Sequence, residues 1–162
     1  MRIKLKHQNI YLIGVISDTH GHVPSGVSKA FNAVDLIIHA GDIGEQAVLD
    51  NLSKIAPVVA VRGNMDFGKW TRHLPETEVI EIGQMVLYVL HIANRLDADP
   101  GKTGFKAVIS GHTHRTDVHE KNGIMFINPG SASYPKFGHP ASAALIQIKG
   151  DDLSVKLIRL KD

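Results

Sequence analysis

The stretch IYLIGVISDTH, residues 10–20, decides the fold, because an unbroken apolar run rich in β-branched residues stops abruptly on Asp18-Thr19-His20. A continuous run of this length suits a central strand covered on both faces, as parallel sheets require. The same pattern recurs twice downstream. DLIIHA (35–40) runs into Gly41-Asp42, and PVVAVR (57–62) runs into Gly63-Asn64. Between these runs, residues 25–34 carry apolar positions at helical spacing, with Ser25 placed to cap them, and 45–55 reads as an amphipathic helix. Strand, helix, strand, helix, strand predicts right-handed βαβ units in a parallel sheet.

The second half changes character. Residues 77–82 and 85–91 flank Gly83-Gln84 and predict a hairpin. Further strands are expected over 106–110, 116–120, 124–128, 141–148 and 153–160, with tight turns at Lys121-Asn122-Gly123 and Gly150-Asp151-Asp152. Residues 92–104 and 131–140 read as loops, the first holding one short helical turn. Parallel early and antiparallel late, the pattern fits two packed sheets with helices outside. With no repeat and no linker, residues 1–162 read as a single α/β domain.

Composition narrows the function. The chain is 43% hydrophobic and 21% charged, which excludes disorder, collagen and coiled coil. No apolar run approaches the ~18 residues of a membrane span. Eighteen basic and sixteen acidic side chains give a net charge of +2, too small to point to nucleic acid. Without cysteine there is neither a disulfide framework nor a thiolate zinc site. The basic start MRIKLKHQN leads into an apolar run with no small-residue cleavage site, so the reading is a cytoplasmic protein without a signal peptide. Ten histidines are out of line with ordinary usage.

The polar residues that end the strands form a set. They are Asp18, His20, Asp42, Asn64, His91, His112 and His114, each at the C-terminal end of an expected strand, where open α/β sheets bind ligands. An unpaired carboxylate buried there for structure alone would be costly. Imidazole and carboxylate together suit borderline or hard divalent ions such as zinc, manganese, iron, nickel or cobalt. Seven donors exceed what one tetrahedral ion needs and match two ions sharing a carboxylate. Asp-x-His and His-x-His each put two side chains on one side of an extended segment. Glycines 41, 63 and 111 precede candidate ligands and let the backbone approach closely.

In this order, VISDTHG, HAGDIG, VRGNMD, VLH and SGHTH resemble the calcineurin-like metallophosphoesterase family, and INPGSAS (127–133) resembles the N-P-G-S segment of its short bacterial and archaeal phosphodiesterase branch. The resemblance spans roughly residues 10–160. It implies a four-layer α/β/β/α sandwich with two mixed β-sheets. It also implies that Asp18, His20 and His114 bind one metal, that Asn64, His91 and His112 bind a second, and that Asp42 bridges them. Asp42, Asn64 and His112 would carry the catalysis. The implied activity is a metal-dependent phosphodiesterase or phosphatase that hydrolyses a small-molecule phosphate ester with a hydroxide activated between two divalent ions. Manganese is the first expectation; nickel, zinc, iron, cobalt and magnesium are the alternatives.

Two positions depart from the pattern. Met65 stands where many members carry a histidine able to protonate the leaving group; the short branch often has a residue other than histidine there too. Ile92 follows His91 where the branch usually has glycine, which predicts a reshaped loop beside the second metal. Asp66 reads as a turn cap or a partner of a ligand, and His39 as a buried strand residue. Arg62 is open between contacting phosphate and forming a salt bridge. His22 and His139 are open between rimming the site and ordinary surface. His7, His73 and His119 carry no signal, and Met85 is a core filler. The alternative function is a non-catalytic scaffold or protein-binding module keeping the fold, which predicts eroded ligands. A nuclease would favour a basic stripe. The sequence leaves homo-oligomerisation open.

Overall fold

The computed structural model describes residues 2–5, 7–97, 99–133 and 138–161; the middle of the expected 131–140 loop lies outside them. In chain order the elements are β1 (Arg2–Lys4), β2 (Ile10–Ile16), α1 (Gly26–Ala30), β3 (Leu36–His39), α2 (Gln46–Ser53), β4 (Val58–Ala60), β5 (Thr77–Ile82) and β6 (Met85–Leu90). There follow α3 (Pro100–Thr103), β7 (Ala107–Ile109), β8 (Thr116–Lys121), β9 (Ile124–Pro129), β10 (Ser142–Lys149) and β11 (Asp152–Arg159). One mixed sheet has the order β11-β10-β2-β3-β4, and the other β1-β5-β6-β7-β9-β8. Within the first, β2, β3 and β4 run parallel, and β10 pairs antiparallel with both β2 and β11.

The sheets pack face to face through their inward residues. Ile13, Val15, Leu36, Ile38 and Ile146 of one sheet meet Ile80, Leu87, Val89, Ile109 and Ile127 of the other. Because side chains alternate along a strand, the opposite face of β2 and β3 is free for a helical layer. There Ile16 and Ile37 pack with Val27, Phe31, Val48 and Leu52. Outside the second sheet the cover is thin: Leu90 and Val108 lie under Leu96 and Phe105, and Phe105 stacks on Tyr88 at 4.9 Å. The expected four layers are present, two sheets between two outer layers, the second made only of short helical turns.

Three details differ from the sequence reading. β1 was not expected; its alternation of Arg2, Ile3 and Lys4 resembles a basic tail, and it is recruited by parallel pairing with β5, far away in the chain. α1 covers five residues, not ten. Ser25 makes no side-chain cap bond; instead the Gly26 amide donates to the Lys161 carbonyl at 2.9 Å, so the C-terminal strand's exit holds the helix start.

Phe31 closes α1 and fills the slot over Gly14, where an added Cβ would lie 2.9 Å from the ring. Gly14→Ala is therefore expected to destabilise the protein by roughly 1–3 kcal/mol through overpacking. Thermal denaturation would show a lowered midpoint; an unchanged midpoint would mean that the ring moves aside freely. Among the described residues no helix is long and apolar enough to cross a membrane.

Candidate metal centre

The parallel strands β2, β3 and β4 end at the same edge as the parallel pair β6 and β7, so five strand ends deliver all seven predicted side chains to one place. Two groups form there. Asp18, His20 and His114 bring one donor atom each within 4.8 Å of one another, and so do Asp42, His91 and His112. Asn64 joins the second group, its Oδ1 lying 3.1 Å from His112 Nδ1.

The backbone is bent for this purpose. Asp18, His20, Asp42, His112 and His114 have φ of +56°, +46°, +54°, +74° and +61°, in the left-handed region. The one other described non-glycine residue there is Asn122, in the β8–β9 turn. Each such residue costs on the order of 1–3 kcal/mol, and such strain concentrates at functional sites. Paired loops hold it: Asp18 N donates to Gly41 O at 3.0 Å, His20 N to Asp42 O at 3.0 Å and Gly21 N to Ile43 O at 2.8 Å. Close approach also explains two glycines. A Cβ at Gly63 would overlap the amide and Oδ1 of Asp42, and one at Gly111 would overlap Ser17 Oγ and lie 2.7 Å from Asp18 Oδ2.

Both carboxylates are split in the same way. Asp18 Oδ2 accepts from the Ser17 hydroxyl at 2.7 Å and from the His112 amide at 3.1 Å. Its Oδ1 instead faces ring nitrogens, 3.2 Å from His114 Nε2 and 3.9 Å from His20 Nε2. Asp42 Oδ1 accepts from the Met65 amide at 2.9 Å, while Oδ2 lies 3.3 Å from His91 Nε2 and 3.8 Å from His20 Nε2. His91 Nδ1 lies 2.7 Å from the Ala40 carbonyl and must donate to it, which in the neutral ring leaves a lone pair on Nε2. Asp18 Oδ1 and His91 Nε2 are buried without a hydrogen-bond partner among the described residues. Acceptors converging on acceptors in a buried site are unfavourable unless a cation lies between them. The donor set therefore fits divalent metal ions.

Burial pushes the Asp18 carboxyl above its ordinary range, despite the Ser17 hydroxyl and the nearby His91 and His114. Burial acts the same way on Asp42, but the nearby His91 and His20 rings and the Met65 amide outweigh it and hold the group low. For His91, burial alone favours the neutral ring; Asp42 and Asp18 override it and raise the pKa. His112 is lowered by burial and by His91 beside it.

Several supporting residues fall into place. His39 is fully buried and its pKa is lowered to about 3 by desolvation. Its Nδ1 accepts from the Gly41 amide at 3.2 Å, so Nε2 carries the proton toward Thr19 Oγ1 at 2.9 Å. It thus ties the Asp18-Thr19-His20 turn to the Gly41-Asp42 turn. Asp66 is a turn cap, accepting from the Gly44 and Gly63 amides at 3.0 and 2.8 Å. Arg62 pairs with Glu76 at 3.0 Å, as its salt-bridge reading expects. Met65 is 55% exposed and acts through its amide. Ile92 has φ −109° and ψ 107°, an extended conformation that needs no glycine, so the expected reshaping is not forced by the backbone. Neither His22 nor His139 belongs to the two donor groups.

Asn128, quoted within INPGSAS but given no role, is the residue that sequence reasoning missed. Its Nδ2 donates to Gly111 O at 2.9 Å and to Thr113 Oγ1 at 3.2 Å, and its Oδ1 accepts from Gly130 N at 3.0 Å. It therefore braces the loop that carries His112 and His114. Asn128→Ala is expected to weaken metal binding roughly 10–100-fold, the usual cost of losing a partner that orients ligands. Calorimetric metal titration would measure this; unaltered affinity would mean that the loop holds its shape unaided.

A family model described as the calcineurin-like phosphoesterase superfamily domain matches residues 11–151. A probable metallophosphoesterase of Methanocaldococcus jannaschii is 38% identical over 164 residues, covering 93% of this chain and 82% of that one. A phosphodiesterase of the same archaeon is 31% identical over 137 residues, covering 73% of this chain and 82% of its own. In structure, Vacuolar Protein Sorting 29 from Cryptosporidium parvum matches with a TM-score of 0.80 at 24% identity, covering 96% of this chain and 94% of that one. That last likeness is one of fold.

Proposed function

Because the chain belongs to the calcineurin-like phosphoesterase superfamily, we propose that residues 1–162 act as one domain hydrolysing a small-molecule phosphodiester with two divalent ions. Asp18, His20 and His114 would hold one ion, Asn64, His91 and His112 the other, and Asp42 both. Manganese is the metal that the family resemblance puts first; a set of imidazole, carboxylate and amide oxygen without thiolate also suits zinc, iron, nickel or cobalt. When bound, such a pair supplies Lewis-acid stabilisation of phosphoryl charge and lowers the pKa of water far below its bulk value, toward ~7.

The observation that carries this reading is the split of both carboxylates, one oxygen tied by protein donors and the other aimed at imidazole nitrogens. Asp42, kept ionised by its surroundings, brings negative charge to the centre of the cluster. His91 is turned by the Ala40 carbonyl so that Nε2 faces inward. His112 is exposed at the mouth, and its lowered pKa keeps the ring neutral near pH 7. In the hydrolysis, water adds to phosphorus, one P–O ester bond breaks, and the departing oxygen takes a proton. Met65 has no proton to give.

A scaffold that had given up chemistry would have no reason to keep five ligand-type residues in strained backbone conformations. Bis(p-nitrophenyl) phosphate is the substrate to use. Chelator-stripped protein should be inactive and regain hydrolysis with Mn²⁺; full hydrolysis in excess chelator would contradict the proposal.

A further inference from the structure

A cleft of about 390 Å³ opens on Asn64 and His91 and runs between the loop after β4 and the segment after β6. Its volume lies within the ~300–1,000 Å³ of small-molecule sites. One wall is Phe67, an aromatic ring left 69% exposed beside the polar cluster. A flat apolar face kept in water at a cleft wall offers stacking to a planar ligand.

The charges in the cleft largely cancel within the protein. Arg62 is engaged by Glu76, and both oxygens of Asp66 are held by backbone amides. Arg95 and Asp97 remain, both lining the cleft and exposed, and neither side chain makes a hydrogen bond or ion pair with another described residue. One guanidinium fork and one carboxylate give donors and acceptors without a net preference for an anion. A second phosphate would meet Asp97 as well as Arg95, and an aliphatic polyol would leave the phenyl face unused. An uncharged, planar heterocycle with both donors and acceptors along its edge matches all three groups.

We propose that this cleft recognises a nucleobase, with Phe67 as its stacking platform and Arg95 and Asp97 reading its edge, so that the ester cleaved next to it is a nucleoside phosphodiester. The inference rests on the hydrolytic reading above and deepens it. Water adds to phosphorus and one P–O bond breaks. The displaced oxygen departs with one of the water's protons, leaving a nucleoside monophosphate when the other ester group departs.

The test uses the full chain loaded with Mn²⁺ and two esters sharing one leaving group, thymidine 5′-(p-nitrophenyl phosphate) and methyl p-nitrophenyl phosphate. The thymidine ester should be preferred by about tenfold or more in kcat/KM, within the range of base–aromatic stacking. Phe67→Ala should remove most of that preference, bringing the ratio of kcat/KM for the two esters toward one. Calorimetric binding of thymidine 5′-monophosphate against methyl phosphate should show the same dependence on Phe67 without turnover. Equal kcat/KM for both esters, or a preference that survives Phe67→Ala, overturns the proposal. If neither ester is hydrolysed, the hydrolytic reading fails. The nucleobase site then stands on the binding comparison alone, and equal affinity for the two phosphates overturns it.

Discussion

Asp42→Asn is expected to cost the protein at least one bound metal per chain and ~10²-fold or more in kcat, the scale of losing a central electrostatic group. Asp42 has a single side chain placed between both donor groups, its Oδ2 lying 3.3 Å from His91 and 3.8 Å from His20. Asparagine keeps the shape but removes the negative charge and can turn an NH₂ toward nitrogens that need a cation. The fold should survive, since asparagine tolerates the left-handed φ of +54° at this position better than most residues. Asp66→Asn is the matched control. Among the described residues its carboxylate bonds only to the Gly44 and Gly63 amides, so its loss should stay within about 10–100-fold. Metal content by elemental analysis, with kcat on the same samples, separates the two variants. Equal losses would mean that Asp42 is not the bridge.

The second large effect is a steep dependence on the leaving group. The side chain following Asn64 is a thioether, and Met65 contributes a backbone amide instead. Without a positioned acid, a departing alkoxide loses help worth ~10²–10⁴-fold, whereas an aryloxide needs little. A series of substituted aryl and alkyl phosphodiesters at fixed metal and pH should therefore show rates falling sharply as the leaving group's pKa rises. Met65→His should flatten that slope if the imidazole comes within ~3 Å of the leaving oxygen. A flat plot for the natural sequence would show that another group supplies the proton, with His22 and His139 the first to substitute.

Much of the fold and the site could be read in the sequence because their signals are local. The runs ending at Ser17, Ala40 and Arg62 are strands by composition, and the polar residues that stop them fall at one sheet edge whatever the loop details. What escaped the reading depends on distant partners. β1 exists through pairing with β5, and α1 begins at a carbonyl of Lys161. The left-handed turns at Asp18 and His112 follow from loops that meet only in the folded chain; nothing in Asp-Thr-His or Gly-His-Thr-His announces them. Asn128 reads only as the end of an expected strand until Gly111 and Thr113 are beside it. Phe67 carries no signal in the sequence, and its exposure at the cleft appears only when the segments after β4 and β6 face each other.

Calorimetric titration of Mn²⁺ into chelator-stripped protein tests most directly the central claim, that one strand-end cluster holds a pair of ions. Uptake of about two ions per chain is expected, in keeping with two-metal phosphoesterase chemistry. Hydrolysis of the diester should appear in step with their binding. Absence of binding, with hydrolysis undiminished in excess chelator, would contradict the account.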